Sequence, residues 1–240
     1  MTPFQQHKQR VQKELAEQQQ KQKLAAGDLT TAAATANDYS AFEVLKNNLD
    51  GDLKTLSGLV QGDEKQAKKK SLVEFYMGHV SEYLNQAEVY ANAVLVNVIL
   101  WLFDLGRIAE ALPMAKVAIE QQQSSPAGFS RNLPTVVADL VLEWCDKQHS
   151  QGHSVEPVFS EVLALLHGWP VPDVVKMKYH KFAGNQAFSE GDMPTAVSQY
   201  EQAISFESAS HKAQVKTKLE KARAALSGST TAHEQEDETD

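Results

Sequence analysis

Two short clusters carry residue types that can do chemistry. In LDGDLK, Asp50 and Asp52 are followed by Lys54. A metal-dependent nuclease needs carboxylates that converge on Mg²⁺, commonly with a lysine nearby. The two-residue acidic spacing suits a strand, where alternate side chains share a face; on a helix Asp50 and Asp52 point apart. In the second cluster, Cys145, His149 and His153 fall at i, i+4 and i+8. On one helix they would line up a thiolate and two imidazoles for zinc. Gly152 is expected to end the helix before His153, and no fourth ligand is evident. The competing reading is a buried cysteine with histidines at a helix C-terminus, where the dipole favours a cation. Neither GxxxxGK[ST], GxSxG nor HExxH occurs, so no triphosphate cradle or hydrolase signature is present and no cofactor is expected.

Charge points elsewhere. The formal net charge is −8, but residues 1–80 hold 11 Lys/Arg against 10 Asp/Glu while residues 81–240 hold 12 against 21. Only the N-terminal third has a basic reserve, in two places. One is an arm with Lys8, Arg10, Lys13, Lys21 and Lys23; the other is the run Lys65, Lys68, Lys69, Lys70. Such runs are either a solvated face or a phosphate-contacting patch. Three consecutive lysines on a helix fan across about 200°. Lys68, Lys69 and Lys70 therefore cannot all face a core, and at least two should reach solvent.

The elements that position these residues are helices. Residues 4–25 lack Pro and Gly and are rich in helix formers, but the apolar stripe Phe4, Val11, Leu15 is thin, so an arm ordered by a partner is expected. Residues 30–38 (TTAAATAND) read as a linker. Tyr39, Phe42, Leu49, Leu53, Leu56 and Val60 recur at helical spacing, with Gly51 and Gly58 counting against one unbroken helix. Leu72, Phe75, Tyr76, His79, Val80 and Tyr83 predict an amphipathic helix with aromatics inward. Val94 to Leu105 is apolar nearly all round, the pattern of a helix buried at a domain centre. Helices are expected from Ile108 to Ile119, from Val136 to His149 and from Val158 to Leu166. After the break at WPVP (169–172), three more fill residues 173–226. Trp101, Trp144 and Trp169 read as core or interface anchors. Gly106, Ala111, Ala115, Ala118 recurs as Gly191, Ala196, Tyr200, Ala203, with the spacing of a tetratricopeptide turn and second helix. Two ordinary helical hairpins would give the same echo. No strand pattern is found.

The predicted fold is all-α. Its parts are a polar arm and linker (1–36), a DNA-binding helical segment with the lysine run (37–71), an oligomerisation core (72–150), tetratricopeptide-like helices (151–226) and a disordered acidic tail (227–240). The longest apolar run, Val94 to Phe103, is too short to span a bilayer, the N-terminus lacks a signal-peptide pattern, and the one cysteine, Cys145, allows no intramolecular disulfide. A cytoplasmic protein is expected.

The order of these features is distinctive. KQAKKKSLVEFY leads into AVLVNVILWLFDLGRIAEALPMAKVAI, then DLVLEWCDKQHSQGHSV, then FSEGDMPTAVSQYEQAISFE. This resembles the small terminase subunit of peduovirus-type tailed phages, the GpM-like family, also called the terminase endonuclease subunit. The most specific piece is LW-x-x-D-x-G-x-I-x-x-AL, Leu100 to Leu112. The resemblance implies recognition of the cohesive-end (cos) site on double-stranded phage DNA, delivery of that DNA to a large subunit carrying ATPase and nuclease, assembly as a homo-oligomeric ring, and a place in the infected host's cytoplasm. Where the family carries a Lys/Arg-rich tail, this chain ends in HEQEDETD, which moves the expected DNA contact to the N-terminal third. Two rivals stay open: a tetratricopeptide-like adaptor that binds only protein, and a nuclease using Asp50, Asp52 and Lys54.

Overall fold

The computed structural model describes the backbone of residues 29–236 and the side chains of residues 42–227. It is all-α, with no strand among the described residues. The helices are α1 (Leu29–Gly58), α2 (Asp63–Asn85), α3 (Ala93–Asp104), α4 (Ile108–Glu120), α5 (Leu133–Ser150), α6 (Val158–Leu165), α7 (Asp173–Glu190), α8 (Met193–Ser205) and α9 (Lys216–Glu236). Two compact units divide at Leu72/Val73, inside α2.

In the first unit, α1 departs from expectation twice. Residues 30–38 are helical, not linker, because Ala is the best helix former and nothing there stops a helix. The helix also runs unbroken through Gly51, whose cost of about 1 kcal/mol is too small to end it. Leu49 and Leu56 are buried seven residues apart, and Asp52 lies between them on the same face. A turn over residues 59–62 follows, and Asp63 and Glu64 favour the start of α2 through its dipole. The arm lies outside the described residues.

The second unit is built around α3, which buries every residue from Val94 to Phe103. Its one polar member, Asn97, is satisfied internally, donating from Nδ2 to the Ala93 carbonyl at 2.8 Å. From α2, Val73, Tyr76, Val80 and Tyr83 face inward, with Tyr76 6.1 Å from Trp101 between ring centroids. Phe75, expected to face inward with them, is 64% exposed, because it lies about 100° round the helix from Tyr76. Gly106 (φ +71°) turns the chain into α4, where Ala111, Ala115 and Ala118 are wholly buried. Asn132 caps α5 by accepting from the Thr135 amide at 3.2 Å. On α7, the Tyr179 hydroxyl donates to the Ala138 carbonyl of α5 at 2.8 Å, and Phe159 of α6 stacks on Tyr179.

The sequence echo is realised at both turns. Gly191 (φ +83°) repeats the left-handed turn of Gly106, and Ala196, Tyr200 and Ala203 are as fully buried as their counterparts. In this second hairpin a Cβ at Gly184 would lie 2.7 Å from ring carbons of Tyr200, so α7 and α8 fit only because Gly184 has none. α9 packs Leu219 and Ala222 on the same cluster and continues past Leu226 to Glu236, so the tail expected to be disordered from 227 is helical for most of its length. Residues 237–240 lie outside the described residues.

These glycines predict opposite signs. Gly184→Ala should destabilise by about 1–3 kcal/mol through overpacking against Tyr200. Gly51→Ala, with open space around it, should stabilise by roughly 0.5–1 kcal/mol. Urea unfolding followed by circular dichroism checks both; equal effects at the two sites would contradict this packing.

Candidate nucleic-acid interface

The lysine run opens α2, directly after the turn from α1, and the helix disperses it as its period requires. Lys70 is exposed. Lys69 is turned inward and only 7% exposed. Lys68 lies on the flank, its Nζ 3.1 Å from Asp52 Oδ1. Lys65 reaches back to donate to the Leu59 carbonyl at 3.3 Å, steadying the end of α1. Val60, at the tip, is 86% exposed. Lys68 and Lys70 thus meet the expectation that two of the three consecutive lysines reach solvent, while Lys69 is spent on the interior. The Lys68–Asp52 pair does not bar a ligand: half-exposed ion pairs contribute about 0–1 kcal/mol, and a phosphate can replace the carboxylate. Lys8, Arg10 and Lys13 lie outside the described residues.

The same pairing decides the acidic cluster. Asp52 faces the Leu49–Leu56 side and meets Lys68, whereas Asp50 is exposed about 200° away round the helix, and Lys54 is exposed too. The helix therefore does not bring Asp50 and Asp52 to one point. Nor does α5 assemble a zinc site. Cys145 is wholly buried, and burial pushes its thiol up to about 12, so it stays protonated and is a poor ligand. His149 packs its ring against Phe182, centroids 5.7 Å apart. His153 lies beyond the end of α5, its Nδ1 3.1 Å from Gln148 Oε1. Among the described residues no three His, Cys, Asp or Glu side chains are grouped as a metal ion would need, and no helix is long and apolar enough to cross a membrane.

One surface feature escaped the sequence reading. A shallow groove of about 500 Å³ runs between α2 and α4, floored by Val73, Met77, Pro113 and Met114 and edged by Glu74 and Arg107. Arg107 forks onto Glu110 at 2.7 and 2.6 Å, which raises the affinity of the guanidinium for its proton and holds the Glu110 carboxyl below its ordinary value. The only signal in the sequence was that Met77 and Met114 stand off the core-facing positions of their helices.

The described residues define an all-α chain with lysines at the start of α2, beside the turn from α1. Residues 46–174 match the family model of the phage small terminase subunit. The chain belongs to that family. It is 34% identical over 155 residues to a probable terminase endonuclease subunit of Haemophilus phage HP1, covering 64% of this chain and 54% of that protein. It is 28% identical over 172 residues to the terminase endonuclease subunit of Escherichia phage P2, covering 71% and 70%. The match thus spans about half the length of the HP1 relative. No solved structure matches the chain.

With the carboxylates of α1 turned apart, the purified chain should leave supercoiled DNA uncut in Mg²⁺ or Mn²⁺ on agarose gels. Cutting that Asp52→Ala abolishes would establish the nuclease reading instead.

Proposed function

We propose that this chain binds double-stranded phage DNA at the packaging (cos) site and delivers it to the large ATPase and nuclease subunit of the terminase. Family membership supports the setting, and the lysines at the start of α2, beside the turn from α1, are the observation that carries the DNA contact. Lys70 and Lys68 contact phosphates, Lys65 anchors the turn, and the arm with Lys8, Arg10 and Lys13 adds a second contact. The exposed Val60 and the basic flank then meet the duplex together, as phosphate contacts position a protein while base contacts specify the site. The word "endonuclease" in the relatives' names describes the holoenzyme on this reading, and the work takes place in the cytoplasm of the infected host. Copies joined head to tail in a closed ring would repeat the turn around the ring; light scattering that finds a monomer at micromolar concentration would remove the ring from this proposal.

Each lysine that touches phosphate adds about 0.9 to the slope of log affinity against log salt. Lys68→Ala with Lys70→Ala should therefore weaken binding to any duplex and flatten that slope by about two units, leaving preference for the packaging site intact. Lys69→Ala, which removes an inward-facing ammonium, should leave the slope unchanged. Fluorescence anisotropy at several salt concentrations measures both; an unchanged slope in a folded double variant would take this turn out of the DNA path.

A further inference from the structure

The residues 86–92 that join α2 to α3 are held by a closed set of polar groups. Gln123 donates from Nε2 to the Tyr90 carbonyl at 2.7 Å and to the Tyr83 hydroxyl at 2.8 Å, while its Oε1 accepts from the Asn92 amide at 2.8 Å. The Tyr83 hydroxyl lies 2.8 Å from Gln121 Oε1 and 3.0 Å from the Tyr90 carbonyl. Asn92, itself buried, caps α3: its Oδ1 accepts from the Leu95 amide at 2.9 Å. That cap settles which way the carboxamide points. Its Nδ2 must face His79, and Nε2 of His79 lies 3.3 Å away. An amide nitrogen only donates, so the imidazole nitrogen opposite it must accept.

We propose that His79 is a proton-operated latch on the start of α3. In its neutral form, with the hydrogen on Nδ1, His79 accepts from Asn92 and holds the cap in place. Protonation sets two donors face to face. Asn92 can escape only by moving away or by turning its amide over, and turning it over surrenders the Leu95 cap. An N-cap is worth about fivefold in helix stability, so the first turn of α3 loosens in either case. Among the described groups around the latch, His79 is the one whose ordinary value lies near neutral pH. Burial raises the affinity of the Tyr83 phenol for its proton, and Gln121, Gln123 and Asn92 carry no charge. Glu82, on the same helix, favours the proton; Glu88, on the loop, is exposed. Burial outweighs Glu82 and holds the His79 affinity for a proton below its ordinary value.

The sign follows from that direction. The open form takes up its proton first as pH falls through about 6.5, so the latched form loses ground from there down. The loss levels off once pH passes below the value of the latched histidine. One proton changes the opening equilibrium by at most tenfold per pH unit.

The test uses the full chain labelled with ¹⁵N-histidine. Long-range ¹H–¹⁵N spectra at pH 7.5 should show His79 with its hydrogen on Nδ1. Amide exchange at Leu95 and Asn92, corrected for intrinsic rate, should lose protection by up to about tenfold at pH 5.5 relative to 7.5. His79→Gln, which can still offer an oxygen to Asn92 but does not titrate, should keep that protection at both pH values. A hydrogen on Nε2 in the unaltered protein overturns the proposal, as does the same loss of protection in His79→Gln. If that variant does not fold, the tautomer of the unaltered protein decides alone.

Discussion

A helix that is apolar on every side has no face to give to water, and α3 is such a helix. Each aliphatic or aromatic side chain it buries contributes about 1.5–3 kcal/mol, so leaving even one side uncovered would cost more than most surface interactions can return. The chain answers by surrounding it. α2 brings Tyr76 against Trp101, α4 packs on it after the Gly106 turn, and α5 packs against it from further along the sequence. The three small residues of α4, Ala111, Ala115 and Ala118, let that return helix come close. The second unit is thus organised from its centre outward, and its surface is what remains after α3 has been covered.

Covering α3 also traps polar groups that must then find partners. A buried donor or acceptor left unmade costs about 1–3 kcal/mol. Around the α2–α3 connection, Gln123 satisfies two carbonyl or hydroxyl acceptors and one amide, and Asn92 closes the end of α3. At the far side, Tyr179 gives its hydroxyl to the Ala138 carbonyl; burial raises the affinity of that phenol for its proton, so it remains a donor. These bonds fix which helices neighbour which, and the apolar contacts alone would tolerate more arrangements.

The helix pattern was legible where apolar spacing, a continuous apolar run or a chain break is pronounced. The apolar run of α3, the break at WPVP and the Gly–Ala echo each translate into an element with the expected residues inside. What failed did so where composition and context disagree. Residues 30–38 look like a linker because they are small and polar, yet Ala and Thr extend a helix that α1 has already begun, and no Pro or Gly stops it. Gly51 looks like an interruption but carries only the modest entropic cost of a glycine. Phe75 looked like core because aromatics usually are; its angular position on α2 puts it outside. At the candidate interface, the sequence says that three lysines must fan out, and Lys69, three residues before Leu72 and seven before Tyr76, is the one that the apolar face carries inward. It could not say that Asp52 would meet Lys68, a contact between helices 16 residues apart in sequence.

Nucleic-acid contact beside the α1–α2 turn is the central claim, because the exposed Lys70 and the flanking Lys68 stand there together at the start of α2. Photo-crosslinking of the full chain to a duplex carrying the packaging site, followed by mass spectrometry of the joined peptides, tests it most directly. The account predicts crosslinks concentrated between Lys54 and Lys70, reduced when salt is raised. Crosslinks confined to α7 or α9, with none in that turn, would contradict it.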